Sequence, residues 1–471
     1  MGEFTTVSAP GKVLLTGGYL VLDRTYEGLV VGTSARFFTV IHPLGIPRQI
    51  RVRSPQFVDA TWNYKWENEL TAEDGANRNK FVEIALRYTL KVLRELASQQ
   101  VEVVKEQGMD IWVLGSNDFY SQRERLEEMN LPFAFSSLGL LPPFAHTNTS
   151  LSAVHKTGLG SSAALITSLV GALFAHHSFP LTTEQNKIWV HNVAQFCHCF
   201  AQGKVGSGFD VSAGVWGSHS YRRFGPKGLE SAMREDVQAV ELLKTLAPES
   251  EIWDNSITSF RLSPTLTLML ADIDTGSHTP SMASKLLAWR KNHPEEADPL
   301  WNELGKNNKK IEMLFRHLTA LQASNPEAYK HELSLCASRP SAEWAALSKE
   351  VDGDAVKALS EVSETFQGIR ELIRRMTYLS SVPVEPPEQM RLLDACIRVP
   401  GVVMAGVPGA GGYDAIFCVV IGEEPRQAVE QVWRSWKEMR VCPLLAQESD
   451  SGIAEEKAEE IPGLLDAIKR S

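Results

Sequence analysis

The chain has 471 residues, enough for two or three domains, and its 43% hydrophobic and 22% charged content is that of an ordinary globular protein. A net charge of −10, from 47 basic and 57 acidic residues, argues against nucleic acid as a partner. Of six cysteines only Cys197 and Cys199 are close, and no second pair completes a zinc site, so free thiols in a reducing compartment are expected.

The longest near-apolar run, Ala163 to Ala175, is too short to span a bilayer, so no membrane association is expected. Glu3 and Pro10-Gly11 break any leader pattern, and Lys469-Arg470-Ser471 matches no targeting tail. The expectation is a cytoplasmic protein.

At the amino end, a short strand from Val7 enters a Pro10-Gly11 turn, followed by Lys12 and an apolar run to Gly17-Gly18-Tyr19. Taken alone this is a β-hairpin that happens to carry a lysine. Gly28 to His42, rich in Val, Thr and Phe, reads as a strand, and Ile50 to Trp66 as further strands. Asn79 to Ala97 is an amphipathic helix with Phe81, Ile84, Tyr88, Val92 and Leu96 on one face. Asp110 to Leu114 is a strand, and Gly115-Ser116-Asn117-Asp118 the turn after it. Leu131 to Thr149 is irregular, broken by prolines.

The most informative stretch is Lys156-Thr157-Gly158-Leu159-Gly160-Ser161-Ser162-Ala163-Ala164. Glycines at a helix start let the backbone approach a ligand, and the unpaired N–H groups and dipole there favour a di- or triphosphate. The two hydroxyls suit phosphate oxygens or magnesium. Alone, the segment reads equally as a helix capped by a serine. Gly158-x-Gly160-x-x-Ala163 also matches the dinucleotide fingerprint, but Glu184 follows a new helix start, not a strand. A Walker A loop is excluded, because valine follows both Gly11-Lys12 and Gly203-Lys204.

A helix capped by Thr182 or Thr183 reaches Phe200. Next comes Gly203-Lys204-Val205-Gly206-Ser207-Gly208-Phe209-Asp210, which delivers one carboxylate on a glycine-rich backbone or, read plainly, forms an Asx turn. Arg222 and Arg223 end a strand, and a polar connection from Gly225 holds the domain boundary. Leu266 to Asp272 is a strand leading to Asp274-Thr275-Gly276-Ser277. Helices follow over Ser281 to Lys291, Asn307 to Ala323 and most of 325 to 390. Val402 to Ala405 leads into Gly406-Val407-Pro408-Gly409-Ala410-Gly411-Gly412, and Ala415 to Ile421 is a buried strand. Glu448 to Glu460 reads as a solvated acidic surface.

Three glycine-rich segments in this order, with an aspartate loop between the last two, resemble the GHMP kinases over residues 7 to 421. Gly17-Gly18-Tyr19, 156–162, 203–210 and 274–277 are similar to the phosphomevalonate branch of the fungal type. The resemblance implies an α+β, two-domain GHMP kinase fold. Residues 1–228 would form an amino-terminal α/β domain with a left-handed βαβ crossover, against the usual hand. Residues 229–471 would form a ferredoxin-like carboxyl-terminal domain. The implied reaction is transfer from ATP to 5-phosphomevalonate, giving 5-diphosphomevalonate.

By the same resemblance Lys12 and Asp210 are the catalytic pair. Lys156, Gly158, Leu159, Gly160, Ser161, Ser162 and Ala163, with Asn117 toward the adenosine, hold the nucleotide. Ser162 ligates Mg2+. Tyr19, Lys204, Ser207, Arg222, Arg223, Ser277 and Gly411 are the candidates to face the acceptor, with a surface salt bridge an equal alternative for Arg222 and Arg223. Mevalonate kinases carry a magnesium-binding glutamate before the aspartate loop, but here no carboxylate lies between Glu184 and Asp210. His176, His177 and His198 read as structural. A monomer is expected in preference to a homodimer. The competing readings are another GHMP small-molecule kinase, for mevalonate or a sugar, and a GHMP-fold ligand sensor.

Overall fold

In the computed structural model, which describes residues 4–73, 78–273 and 279–470, two sheets organise the chain. The larger has nine strands. Six come early: β1 (Thr5–Thr16), β2 (Gly28–Pro43), β3 (Gln49–Arg53), β4 (Thr61–Trp66), β5 (Leu70–Ala72) and β6 (Met109–Gly115). β7 (His219–Arg222) and β8 (Ser256–Ser259) extend it from β2. The smaller sheet is antiparallel and holds β9 (Leu266–Ile273), β10 (Val402–Gly406), β11 (Ala415–Ile421) and β12 (Val441–Leu444). β13 (Ala454–Glu456) then returns to pair with β1. Two strands from beyond residue 228, β8 and β13, thus complete the amino-terminal sheet.

β3 and β6 run parallel, joined through β4, β5 and the Lys80–Leu96 helix. That helix starts where expected: the Asn79 side chain accepts from the N–H groups of Phe81 and Val82. In the smaller sheet the strands lie, by chain order, fourth, first, third, second. Helices join first to second and third to fourth, which is the ferredoxin-like βαββαβ arrangement. Its strands read as unbroken apolar runs because both faces are covered. Met269, Ala271 and Ile273 pack on Leu392, Leu393 and Trp433, while Leu268 and Leu270 belong to the main core with Phe417.

The Ser161–His176 helix is apolar nearly all round and is packed against β1, β2 and the Lys80–Leu96 and Glu184–Gln202 helices. No helix among the described residues is long and apolar enough to cross a membrane. All six cysteines are buried free thiols, and burial pushes Cys199 up to about 11 and Cys336 and Cys442 to about 12, which makes them inert.

Two sequence expectations need correcting. Pro10-Gly11 makes no turn: β1 continues through it, paired with β2 on both sides, and the register shifts between Pro10 and Lys12. Proline has no N–H for the ladder, so the pairing breaks there as a bulge. The Glu448 to Glu460 stretch is not simply a solvated surface. Glu456 accepts a hydrogen bond from the Ser8 hydroxyl (2.6 Å), Glu455 accepts from Leu181 N (2.7 Å), and half-buried Glu448 accepts from Leu262 N.

His191 and His219 are 1% and 0% exposed, and burial pushes both imidazoles down to about 4. The unfolded chain therefore binds protons near pH 6.5 that the folded chain refuses until about pH 4. Their contribution to stability is complete above pH 6.5 and is lost as pH falls, by up to about 1.4 kcal/mol per unit for each group. Urea midpoints should drop steadily from pH 6.5 to 4.5. His219→Gln, which keeps a partner for the Ser212 hydroxyl (2.8 Å), should make that slope shallower; an unchanged slope would contradict the assignment.

Candidate active site

The phosphate-loop candidate forms a helix start whose cap is Gly160, at φ 79, with no capping side chain. The alternative of a serine cap is not realised: Ser161 and Ser162 occupy the first turn, which carries no acidic residue, so its N–H groups and dipole are uncompensated. Only glycine takes this left-handed conformation cheaply, and the missing Cβ also leaves room for Lys12, whose Cε would lie 3.0 Å from it.

The β1 bulge explains how Lys12 reaches the loop. Opposite Gly32 on β2, Lys12 donates its backbone N–H to Leu159 O (2.9 Å) and its ammonium to Gly158 O (2.8 Å). The Phe209 ring lies 5.5 Å below the ammonium. Burial lowers the Lys12 pKa, and the negative charge of Asp210 pulls it part of the way back. Behind the loop, the Thr157 hydroxyl donates to Asp118 O, and the Asp118 carboxylate accepts from Ala446 N (3.1 Å). The chain after β12 is thereby tied to the phosphate loop.

Asp210 sits in the first turn of the Phe209–Trp216 helix, its Oδ1 accepting from Val211 N (3.0 Å). Its Oδ2 lies 3.7 Å from His198 Nδ1, and His198 Nε2 lies 3.0 Å from the Ser162 hydroxyl. One imidazole thus stands between the two groups expected to work on opposite sides of the transfer.

A cleft between the sheets is lined by Lys12, Tyr19, Gly158, Leu159, Ser207 and Gly411 among the expected residues. Leu14, Val21, Leu22, Phe209 and Leu270 add to its wall, and none is a site candidate from the sequence because isolated apolar side chains carry no local signal; Asp414 adds a carboxylate. Tyr19 takes φ 63 and donates its hydroxyl to Ala410 O (2.5 Å), so it joins the two domains' glycine loops and offers the cleft its ring. Burial raises the phenol pKa further.

The remaining candidates are placed differently. Arg223 donates to Leu22 O (2.6 Å) and Gly206 O (2.9 Å), bracing two walls through their backbones. Arg222, the last residue of β7, reaches Asp254 O (3.5 Å). Lys204 and Lys156 are exposed. Asn117 spends its amide on Pro142 O (3.0 Å) and Ala145 N (2.9 Å), shaping the loop beside the cleft. Ser277 lies outside the described residues.

The glycine loops meet so closely that a Cβ on Gly18 would lie 2.1 Å from Gly409 O. Gly18→Ala should displace the 409–412 loop and cost about 1–3 kcal/mol, read as a lower urea midpoint. An unshifted midpoint would mean that the loops part freely.

Residues 137–218 match the GHMP kinases N terminal domain and residues 355–441 the GHMP kinases C terminal. The chain is 35% identical to a peroxisomal phosphomevalonate kinase of Arabidopsis thaliana, over 96% of each chain. It is 36% identical to a phosphomevalonate kinase of Aspergillus fumigatus, over 88% of this chain and 87% of that one. The chain belongs to the GHMP kinase family.

The GHMP kinase fold recurs in the phosphomevalonate kinase of Streptococcus pneumoniae solved with phosphomevalonate and AMPPNP. That structure has a TM-score of 0.57 at 12% identity, over 91% of this chain and 95% of that chain. In this GHMP kinase the matched segments include the phosphate loop, Asp210 and Gly411. Lys12 lies outside both, and the β1 bulge brings it to the others.

Proposed function

We propose that this GHMP kinase transfers the γ-phosphoryl group of ATP to (R)-5-phosphomevalonate, giving ADP and 5-diphosphomevalonate in the mevalonate route to isoprenoids and sterols. The observation that carries the site assignment is the Lys12 ammonium, seated on Gly158 O of the phosphate loop and under the influence of Asp210.

An acceptor phosphate oxygen attacks the γ-phosphorus in line while the bond to the β–γ bridging oxygen breaks. The acceptor is already largely ionised at neutral pH, since a phosphate monoester has its second pKa near about 6. Asp210 is therefore read as an orienting group, holding Lys12 and His198 in place without removing a proton. Lys12 neutralises charge on the transferring group. The uncapped first turn at 161–163 and Lys156 receive the triphosphate, and Ser207, Lys204, Tyr19 and Gly411 receive the acceptor. Arg222 and Arg223 act through the backbone they brace. Ser277 is kept as an acceptor ligand on the resemblance alone.

Magnesium fits this site as a sparsely held ion. Ser162 and Asp210 supply hard oxygen donors on either side of one imidazole, and no cluster of three ligand-type side chains occurs among the described residues. Magnesium commonly keeps waters and substrate phosphates as its remaining ligands. When bound, it offsets phosphate charge.

The chain-order division into 1–228 and 229–471 belongs to the same reading, as do a monomer and a cytoplasmic location. Light scattering and imaging of a tagged chain test the last two. For the activity, ADP release is measured from magnesium-ATP with 5-phosphomevalonate, mevalonate, galactose and homoserine offered separately. Turnover on 5-phosphomevalonate alone is expected; turnover on an unphosphorylated acceptor would overturn the substrate.

A further inference from the structure

His198 is 3% exposed, on the buried Glu184–Gln202 helix, and the reaction as described gives it no task. Its hydrogen bonds determine which nitrogen carries the proton. The Gln202 amide nitrogen lies 3.1 Å from His198 Nε2. On the ring's other side the Asp210 carboxylate, which can only accept, faces Nδ1, and this favours a bare Nε2. A neutral imidazole then holds its proton on Nδ1, the nitrogen that faces Asp210 Oδ2 at 3.7 Å. With Nε2 bare, its single lone pair accepts from the Ser162 hydroxyl 3.0 Å away.

We propose that His198 is a positioning residue: it takes the Ser162 hydroxyl proton in a hydrogen bond and so leaves that oxygen's lone pairs aimed into the cleft. The opposite tautomer would donate to Ser162 and turn its proton outward, toward the place where a cation is to be held. Asp210 favours the required tautomer by placing negative charge beside Nδ1–H. The same imidazole therefore couples the phosphate loop to the aspartate loop. This inference rests on Ser162 being a magnesium ligand.

Two measurements test it. Nitrogen-15 spectra of histidine-labelled protein, with the His198 signals assigned by their loss in His198→Gln, should show the Nδ1–H tautomer. An Nε2–H tautomer would overturn the proposal, and this reading needs no mutant to be active. The second measurement is the gain in AMPPNP affinity on adding magnesium, by titration calorimetry. Ser162→Ala and His198→Asn should each lose about 10-fold of that gain, the range found when a group supporting a metal ligand is removed. The double variant should lose no more than either single one, because both act on one interaction. His198→Gln keeps an acceptor for the hydroxyl and should stay within about 3-fold of the parent protein.

A full magnesium gain in folded His198→Asn, or losses that add in the double variant, would overturn the role of His198. A full gain in Ser162→Ala would instead overturn the assignment of Ser162 as the ligand.

Discussion

Lys12→Met should lower kcat by about 10³-fold, roughly 4 kcal/mol of transition-state stabilisation, while changing ATP affinity less than 10-fold. The asymmetry follows from geometry. On the proposed reading the triphosphate is held by the first turn of the Ser161–His176 helix and the backbone of 158–160, whether or not residue 12 is charged. The ammonium, fixed by Gly158 O at 2.8 Å, matters most when charge builds up on the transferring group. Methionine keeps most of the packing across Gly160 and over Phe209, so the fold should survive. Because burial places the Lys12 pKa below the ordinary lysine value, parent activity should fall as pH rises through a value lower than 10.5. Steady-state kinetics beside direct nucleotide titration decide this. A variant with near-parent kcat, or one whose loss lies wholly in ATP binding, would remove Lys12 from the chemistry.

How far the site was legible in the sequence depends on how local each signal is. The phosphate loop is written in contiguous residues, and both its glycines and its helix are where they were expected. The amphipathic helix with its Asn79 cap is equally local. Pro10-Gly11 misleads because turn chemistry is a local preference, whereas β1 is held straight by β2, with Lys12 paired to Gly32 and Thr5 to Ile41. The acidic tail misleads for the same reason: Glu456 finds Ser8 at the other end of the chain. Adjacent Arg222 and Arg223 do not serve one ligand: Arg222 ends β7 and reaches Asp254 O, while Arg223 is engaged by Leu22 O and Gly206 O. His198 was read as structural. The available signal was a polar ridge, His191, Gln195, His198 and Gln202, spaced as one face of a buried helix. Such a ridge says that something polar is opposite, but only the folded chain shows it to be Ser162 and Asp210.

Glu385→Gln should destabilise the protein by about 3–5 kcal/mol, the cost of leaving a buried charge without its partner. Arg370 is 0% and Glu385 3% exposed, joined by two hydrogen bonds of 2.7 and 3.2 Å, and Arg374 reaches the same carboxylate at 3.3 Å. Asp394, 2.9 Å from Arg370, would then be left as its carboxylate partner, beside Gln367 Oε1 at 3.2 Å. The damage should also reach the cleft. Val384 O, one residue before Glu385, accepts from Gly412 N (2.8 Å), and a Cβ on Gly411 would lie 2.1 Å from that oxygen. The ion pair therefore holds the brace on which the 409–412 loop rests, and that loop carries the Ala410 carbonyl bound by Tyr19. In the fraction that folds, KM for 5-phosphomevalonate should rise more than KM for ATP, because the phosphate loop is anchored elsewhere, on β1 and Asp118. The double variant Arg370→Met, Glu385→Leu should recover part of the lost stability, since apolar side chains of similar size carry no desolvation cost. Denaturant midpoints of the three proteins decide the first claim. A Glu385→Gln protein as stable as the parent would mean that Asp394 and Gln367 already satisfy Arg370.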